Sequence, residues 1–199
     1  MARPFRQQAD DGILDRAAGL FARRGFAKTS LQDIAAAVGL SKAGLLHHFP
    51  SKEALYDAVL AQAGALGERV LGQVSDLPVG AERDRRAIEI LVDIAFDHPG
   101  VVALLLTPLT QDSSGRGEAE MDAAGAAALQ ALGVSAEAPV SERAIRAIGA
   151  LSALAVLTLA AHGQEEPATW RAAIVATCFD ALGHPRPGAA LPVPHQVEA

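Results

Sequence analysis

Apolar side chains return every three or four positions along most of this chain, the spacing that lines one face of an α-helix. Ile13, Leu14, Ala17, Leu20 and Phe21 mark such a face in a first helix, from about residue 6 to 24. Gly25 then stands where a left-handed C-terminal cap is wanted. Thr29-x-x-Gln32 has the form of a capping box, and Leu31, Ile34, Ala35 and Val38 carry the helix behind it. Gly39-Leu40 forms a turn, Ser41 caps a third helix that Pro50 ends, and Ser51 caps a fourth running to about residue 73. After the loop Asp76-Leu77-Pro78-Val79-Gly80, helices are expected at about 81–97, 99–108, 116–132, 141–162 and 167–182. Pro99-Gly100, Ser113-Ser114-Gly115, Ala138-Pro139 and Gly163 mark their breaks. No alternating β-branched run is present, so the expected architecture is all-α with about nine helices.

Composition agrees with a folded chain. Of 199 residues, 50% are hydrophobic and only 20% charged, which excludes a wholly disordered protein. The pattern divides into a three-helix N-terminal helix-turn-helix unit over 1–52 and a larger helical unit over 53–183. A Pro-rich tail over 184–199, expected to be disordered, follows. The net charge of −6 argues against a surface coated in basic residues, but the charge is unevenly spread. Residues 1–60 hold eight Lys and Arg against six Asp and Glu, while the remainder hold nine against seventeen. The acidity therefore belongs to the second unit.

Cys178 is the sole cysteine, so an intrachain disulfide is excluded and a reducing compartment, the cytoplasm, is expected. Met1 to Gln7 show no apolar run behind their arginines, so no signal peptide is visible. Ala147 to Gln164 contain no charged side chain and approach the lower limit for a membrane span. Gly149, Ser152, Thr158, His162 and Gly163 within that run favour a helix buried in protein instead, with no membrane partner.

The chemistry concentrates in residues 29–55, TSLQDIAAAVGLSKAGLLHHFPSKEAL. Two short helices joined at Gly39 are the sequence form of a helix-turn-helix. The second puts Leu45 and Phe49 on one side, leaving Lys42, Ala43, Gly44 and His47 on the other. So short a helix cannot bury both sides, and its outward set suits a DNA groove. With these residues the chain resembles the tetracycline-repressor (TetR) family over about residues 10–60. The likeness runs from Ala17 to Gly25-Phe26, through Thr29-Ser30, Ile34-Ala35 and Val38-Gly39-Leu40-Ser41, to His48-Phe49, Ser51-Lys52-Glu53 and Leu55. It departs at Leu46, where the family usually has a tyrosine touching the DNA backbone, and at Gly44, where Thr or Ser is commoner.

The resemblance implies a ligand-responsive repressor, homodimeric, that binds double-stranded palindromic operator DNA and is released by a small apolar effector. It implies no cofactor. The third helix, opened by Ser41, would lie in the major groove with Lys42, Ala43, Gly44 and His47 nearest the base edges. Thr29, Ser30, His48 and Lys52 would meet phosphates. The last two helices would pack on their copies through Leu151, Leu154, Ala155, Trp170, Ile174 and Cys178. Helices between about 81 and 132 would enclose the effector, with Ile90, Ile94, Phe96, Val102, Leu105 and Leu106 as apolar lining. Asp93, Asp97, His98, Thr107, Gln130 and Arg146 are the candidate polar handles.

Other chemistries fit poorly. His47 and His48 point about 100° apart on a helix and have no third ligand at helical spacing, so no metal site is expected. Gly39-Leu40-Ser41-Lys42-Ala43 resembles a nucleophile elbow, but a capped helix, not a strand, precedes it. Cys178 reads as a small core residue. A helical-bundle enzyme using His98 with Asp93 or Asp97 is the reading from another class. A DNA-binding regulator without an effector is the nearer alternative.

Overall fold

The computed structural model describes residues 3–107, 118–135, 141–162, 164 and 167–184. Among them are nine helices and no strand: α1 (Arg3–Arg24), α2 (Leu31–Val38), α3 (Lys42–His48), α4 (Lys52–Val74), α5 (Ala81–Asp97), α6 (Pro99–Leu105), α7 (Glu118–Ala131), α8 (Glu142–His162) and α9 (Pro167–Ala181). The periodicity of the apolar residues places all nine. The capping box sits one residue later than Thr29-x-x-Gln32. Ser30 is the N-cap of α2, its Oγ accepting the Asp33 N–H at 3.1 Å while the Asp33 carboxylate accepts the Ser30 N–H at 3.0 Å.

The helices pack around two apolar clusters. The first joins Phe21 of α1, Ile34 of α2, Leu45 of α3, and Leu55 and Val59 of α4. Burying Leu45 completely contributes roughly 1.5–3 kcal/mol. Phe21 meets Tyr56 edge-on at 5.0 Å between ring centroids, fastening α1 to α4. Val101 and Leu104 of α6 and Ala124 of α7 complete this cluster, so α6 and α7 reach into the N-terminal unit. The first part of α4, from Leu55 to Ala63, packs here too, beyond the boundary at residue 52. The second cluster holds Val70 and Val74 at the far end of α4, with Ile88 and Val92 of α5, Leu132, Leu154 of α8, and Ile174 and Cys178 of α9.

A charged group lies inside this second unit. Asp84 on α5 is fully buried; its Oδ1 accepts from Arg143 Nη2 of α8 at 2.7 Å, and its Oδ2 pairs with His184 Nε2 at 2.7 Å. His184, the first residue of the expected tail, is thus fixed to the core, whereas 185–199 lie outside the described residues. Helix α8 is the one helix among the described residues long and apolar enough to cross a membrane. Its buried side carries Ala147, Ala150, Leu154, Thr158 and Ala161, while Ile145, Ile148 and Val156 face out.

Candidate DNA interface and effector cavity

The helix-turn-helix geometry follows from three local devices. Ser30 starts α2; Gly39, at φ 74°, turns the chain left-handed; and Ser41 restarts it by accepting the Gly44 N–H at 3.0 Å. The left-handed turn suits glycine because it has no Cβ. Leu45 then anchors α3 in the core and fixes which side faces out. That outer side carries Lys42, Ala43, Leu46 and His47. Gly44 is turned partly inward, and a Cβ there would lie 3.3 Å from Ser41 Oγ. Leu46, 36% exposed, joins the outer face, so the position where the family's tyrosine usually stands presents a bare aliphatic side chain.

The residues expected at phosphates are mostly engaged within the protein. Thr29 is 1% exposed because its hydroxyl donates to the Gly25 carbonyl at 2.8 Å, closing the turn between α1 and α2. It is not available to DNA. Lys52 is drawn onto the same turn, Nζ donating to the Phe26 carbonyl at 2.9 Å and standing 4.2 Å over the Phe26 ring. His48 Nδ1 lies 2.7 Å from Asp10 Oδ1 and ties α3 to α1. The Ser30 hydroxyl, still exposed, also donates to Asp33 Oδ2 at 2.6 Å. Hydrogen bonds from Ser30, then the nearby Arg24, hold the Asp33 carboxyl below its ordinary range. Lys28, exposed one residue before Thr29, is a cation beside this turn that no sequence pattern singled out.

A cavity of about 500 Å³ lies between α4, α5, α6, α7 and α8. That volume is within the usual range for small-molecule sites. Of the six nominated polar handles His98 lines it, and of the nominated apolar residues Ile94, Val102, Leu105 and Leu106 do. Asp93 is outside, gripped by Arg171 with Nε 2.6 Å from Oδ1 and Nη2 2.9 Å from Oδ2. Asp97 borders a second crevice with Asp11, Asp15 and Arg16, and His98 stands between that crevice and the cavity, bordering both. Phe96 packs against the second core, and the Thr107 hydroxyl donates to the Ala103 carbonyl at 3.3 Å. Gln130 is exposed, its backbone carbonyl accepting from Arg83 Nη2 at 2.9 Å, and Arg146 pairs with Glu142 on the surface. Asp93 and Arg146 are thus paired where a charge is cheaper to solvate than in an apolar pocket.

The residues expected at the dimer interface divide likewise. Leu151, Leu154 and Ala155 line the cavity, and Ile174 and Cys178 are buried within the chain. None of Leu154, Ala155, Ile174 or Cys178 reaches the outer surface, because α8 and α9 turn these positions toward α5 and each other. Trp170, 37% exposed, faces outward with Ile145 and Val156. Burial pushes the Cys178 thiol up to about 11.

Cavity and DNA-binding unit meet at the corner between α5 and α6. His98 stands at that corner, followed by Pro99 and Gly100. Asp15 Oδ1 of α1 accepts the N–H of Gly100 at 2.8 Å and of Val101 at 3.0 Å. His98 pairs with neither Asp93 nor Asp97, so the acid–base arrangement of the enzyme reading is not assembled; its Nδ1 is buried without a hydrogen-bond partner among the described residues.

An all-α chain with a capped helix-turn-helix and a separate apolar cavity defines the class of DNA-binding regulators. The profile of the tetR family of bacterial regulatory proteins matches residues 13–59. An uncharacterised helix-turn-helix-type transcriptional regulator of Mycobacterium tuberculosis is 33% identical over 150 residues, covering 73% of this chain and 74% of its own. Among solved structures, the TetR-family regulator PfmR from Thermus thermophilus is 26% identical, with a TM-score of 0.54 over 86% of this chain and 97% of that one. AibR, solved with isovaleryl coenzyme A and operator DNA, shares the fold at 24% identity and a TM-score of 0.56, covering 86% of this chain and 98% of its own. The chain belongs to the tetR family of bacterial regulatory proteins. It is a helix-turn-helix transcriptional regulator, not an enzyme.

Proposed function

We propose that this chain is a homodimeric repressor that reads a palindromic operator with α3 and releases it when a small apolar compound fills the cavity. The observation that carries this reading is the shared corner. His98 lines the cavity, and Gly100, two residues on, is held against α1 by Asp15. An effector that prefers a different position of α6 therefore acts directly on the DNA-binding unit. It shifts the equilibrium only by its difference in affinity for the two arrangements. The AibR structure, with a thioester and operator DNA on one fold, supports a regulator that meets both kinds of partner.

On the outer face of α3, Lys42 is suited to donate to guanine O6 and N7, and Ala43 and Leu46 to pack on thymine methyl groups. His47 completes the set at the next turn. Ser41 and Lys28, both exposed, flank it as phosphate-side groups. The outward apolar residues Ile145, Val156 and Trp170 supply a face for a second copy, as a reader of two half-sites requires. Acting on bacterial DNA, the protein would work in the cytoplasm. The test is selection from a pool of random duplexes with the full chain. Recovery of an inverted repeat with a fixed half-site spacing is expected; a pool that stays unenriched overturns the reading.

A further inference from the structure

We infer that the cavity takes a compact aliphatic compound carrying one uncharged oxygen function, and that His98 is the side chain that meets that oxygen. This rests on the proposed effector role of the cavity and narrows the chemical class of its occupant. Apart from His98 and Ser152, every described side chain in the lining is aliphatic or glycine, with Leu66, Val70, Leu105, Leu129 and Leu151 among the larger ones. Among the described residues no lysine, arginine or carboxylate lines it, so a phosphate, sulfonate or ammonium group would lose its hydration without gaining a counter-charge. No described phenylalanine, tyrosine or tryptophan lines it either, so flat rings find nothing to stack on. What remains is an alkyl body with few polar atoms.

His98 decides where the polar atom goes. It ends α5 and begins α6, so its backbone is fixed by both helices, and its buried Nδ1 has no partner among the described residues. An unpaired buried ring nitrogen is costly, and a ligand oxygen that pairs with the imidazole from the cavity side removes that cost. A neutral imidazole offers one donor and one acceptor, so both carbonyl and hydroxyl oxygens satisfy the shared chemistry. Ser152, on α8, is the only other polar side chain in the described lining.

The test uses the full chain with four probes of eight carbons each: 2-octanone, methyl heptanoate, 1-octanol and 1-chlorooctane. Their affinities are read by isothermal titration calorimetry for wild type, His98→Leu and His98→Gln. Wild type is expected to bind at least one of the three oxygenated probes tenfold or more tighter than 1-chlorooctane. Ketone and ester against alcohol then report which oxygen the ring favours. His98→Leu should erase this preference yet keep the gain of about fourfold per added methylene that an aliphatic cavity confers, read between 1-chlorooctane and 1-chlorononane. His98→Gln, which retains hydrogen-bonding groups, should restore part of the preference and covers the case in which the leucine variant does not fold. Undiminished preference in both variants overturns the assignment to His98 while leaving the cavity reading intact. If wild type binds none of the four probes, this inference and the effector reading fall together.

Discussion

Asp15 and Gly100, 85 residues apart, are in backbone contact: a Cβ on Gly100 would lie 1.8 Å from the Asp15 carbonyl oxygen. Only glycine lets α6 approach α1 this closely, and the Asp15 side chain secures the approach by accepting two N–H groups at the start of α6. Gly100→Ala must therefore push the helices apart. A loss of about 1–3 kcal/mol in folding stability is expected from the overpacking, read as a lower urea midpoint. Operator affinity should change as well, because the moved helix belongs to the DNA-binding unit. An alanine variant with wild-type midpoint and affinity would show that the contact does not matter.

Burial raises the Asp15 carboxyl above its ordinary 3.8, partly offset by the Val101 and Gly100 N–H groups. The folded protein thus keeps this proton at a pH where the unfolded chain has lost it. Its contribution to stability is full below 3.8 and is lost as pH rises through the raised folded value. Asp15→Asn keeps an oxygen acceptor and removes the charge. Its stability should fall less steeply than wild type just above pH 3.8, as urea denaturation across that window would show. Identical pH profiles would contradict the burial argument.

Two aspartates on α5 should respond very differently to truncation. Asp84→Ala leaves Arg143 and His184 without their buried partner, and a loss of about 3 kcal/mol or more is expected. Asp93→Ala breaks only an exposed pair with Arg171, where about 1 kcal/mol or less is expected. Equal losses by chemical denaturation would mean that burial does not set the value of these pairs.

Lys42→Ala and Lys52→Ala should separate recognition from stability. Lys42 is on the outer face of α3, and its loss should relax base preference by about 1–3 kcal/mol at one position of each half-site. Lys52 is bound to Phe26, so its loss should lower thermal stability and leave the salt dependence of DNA binding nearly unchanged. Anisotropy titrations on variant duplexes at several salt concentrations distinguish the two. A Lys52→Ala protein of normal stability whose salt slope falls by about one would restore it as a phosphate contact.

The raised thiol of Cys178 makes it inert in the folded state. At pH 7.5 iodoacetamide should leave it unmodified in native protein and alkylate it in urea, by mass spectrometry. Rapid native labelling would place the thiol at an accessible site.

Much of the fold was legible because apolar spacing, glycine breaks and serine caps report local structure. Spacing misleads where local chemistry is degenerate: Thr29 and Ser30 are both competent caps, and only packing shows that Thr29 is turned inward to Gly25. Helix α8 is apolar nearly all round, so its periodicity carries no phase. Leu151, Leu154 and Ala155 could not be assigned to cavity or surface from spacing alone. The pairing of Asp93 with Arg171, 78 residues away, and of Asp84 with His184, 100 away, is set by tertiary packing that no motif announces. Within the recognition helix, by contrast, Leu45 as the buried anchor follows directly from the helical pattern, and the outer residues follow from it.

Under the proposed function, occupancy of the cavity governs a sequence-specific DNA contact. The most direct measurement is titration of the full chain onto a duplex from the region upstream of its own gene, beside a random duplex at the same salt, with and without saturating 2-octanone or the best-binding probe of the series. Binding to the upstream site is expected to be at least about a thousandfold tighter than to random DNA, with a loss of tenfold or more when the cavity is filled. Equal affinity for the two duplexes, or a specific complex indifferent to a demonstrably bound probe, would contradict the proposed function.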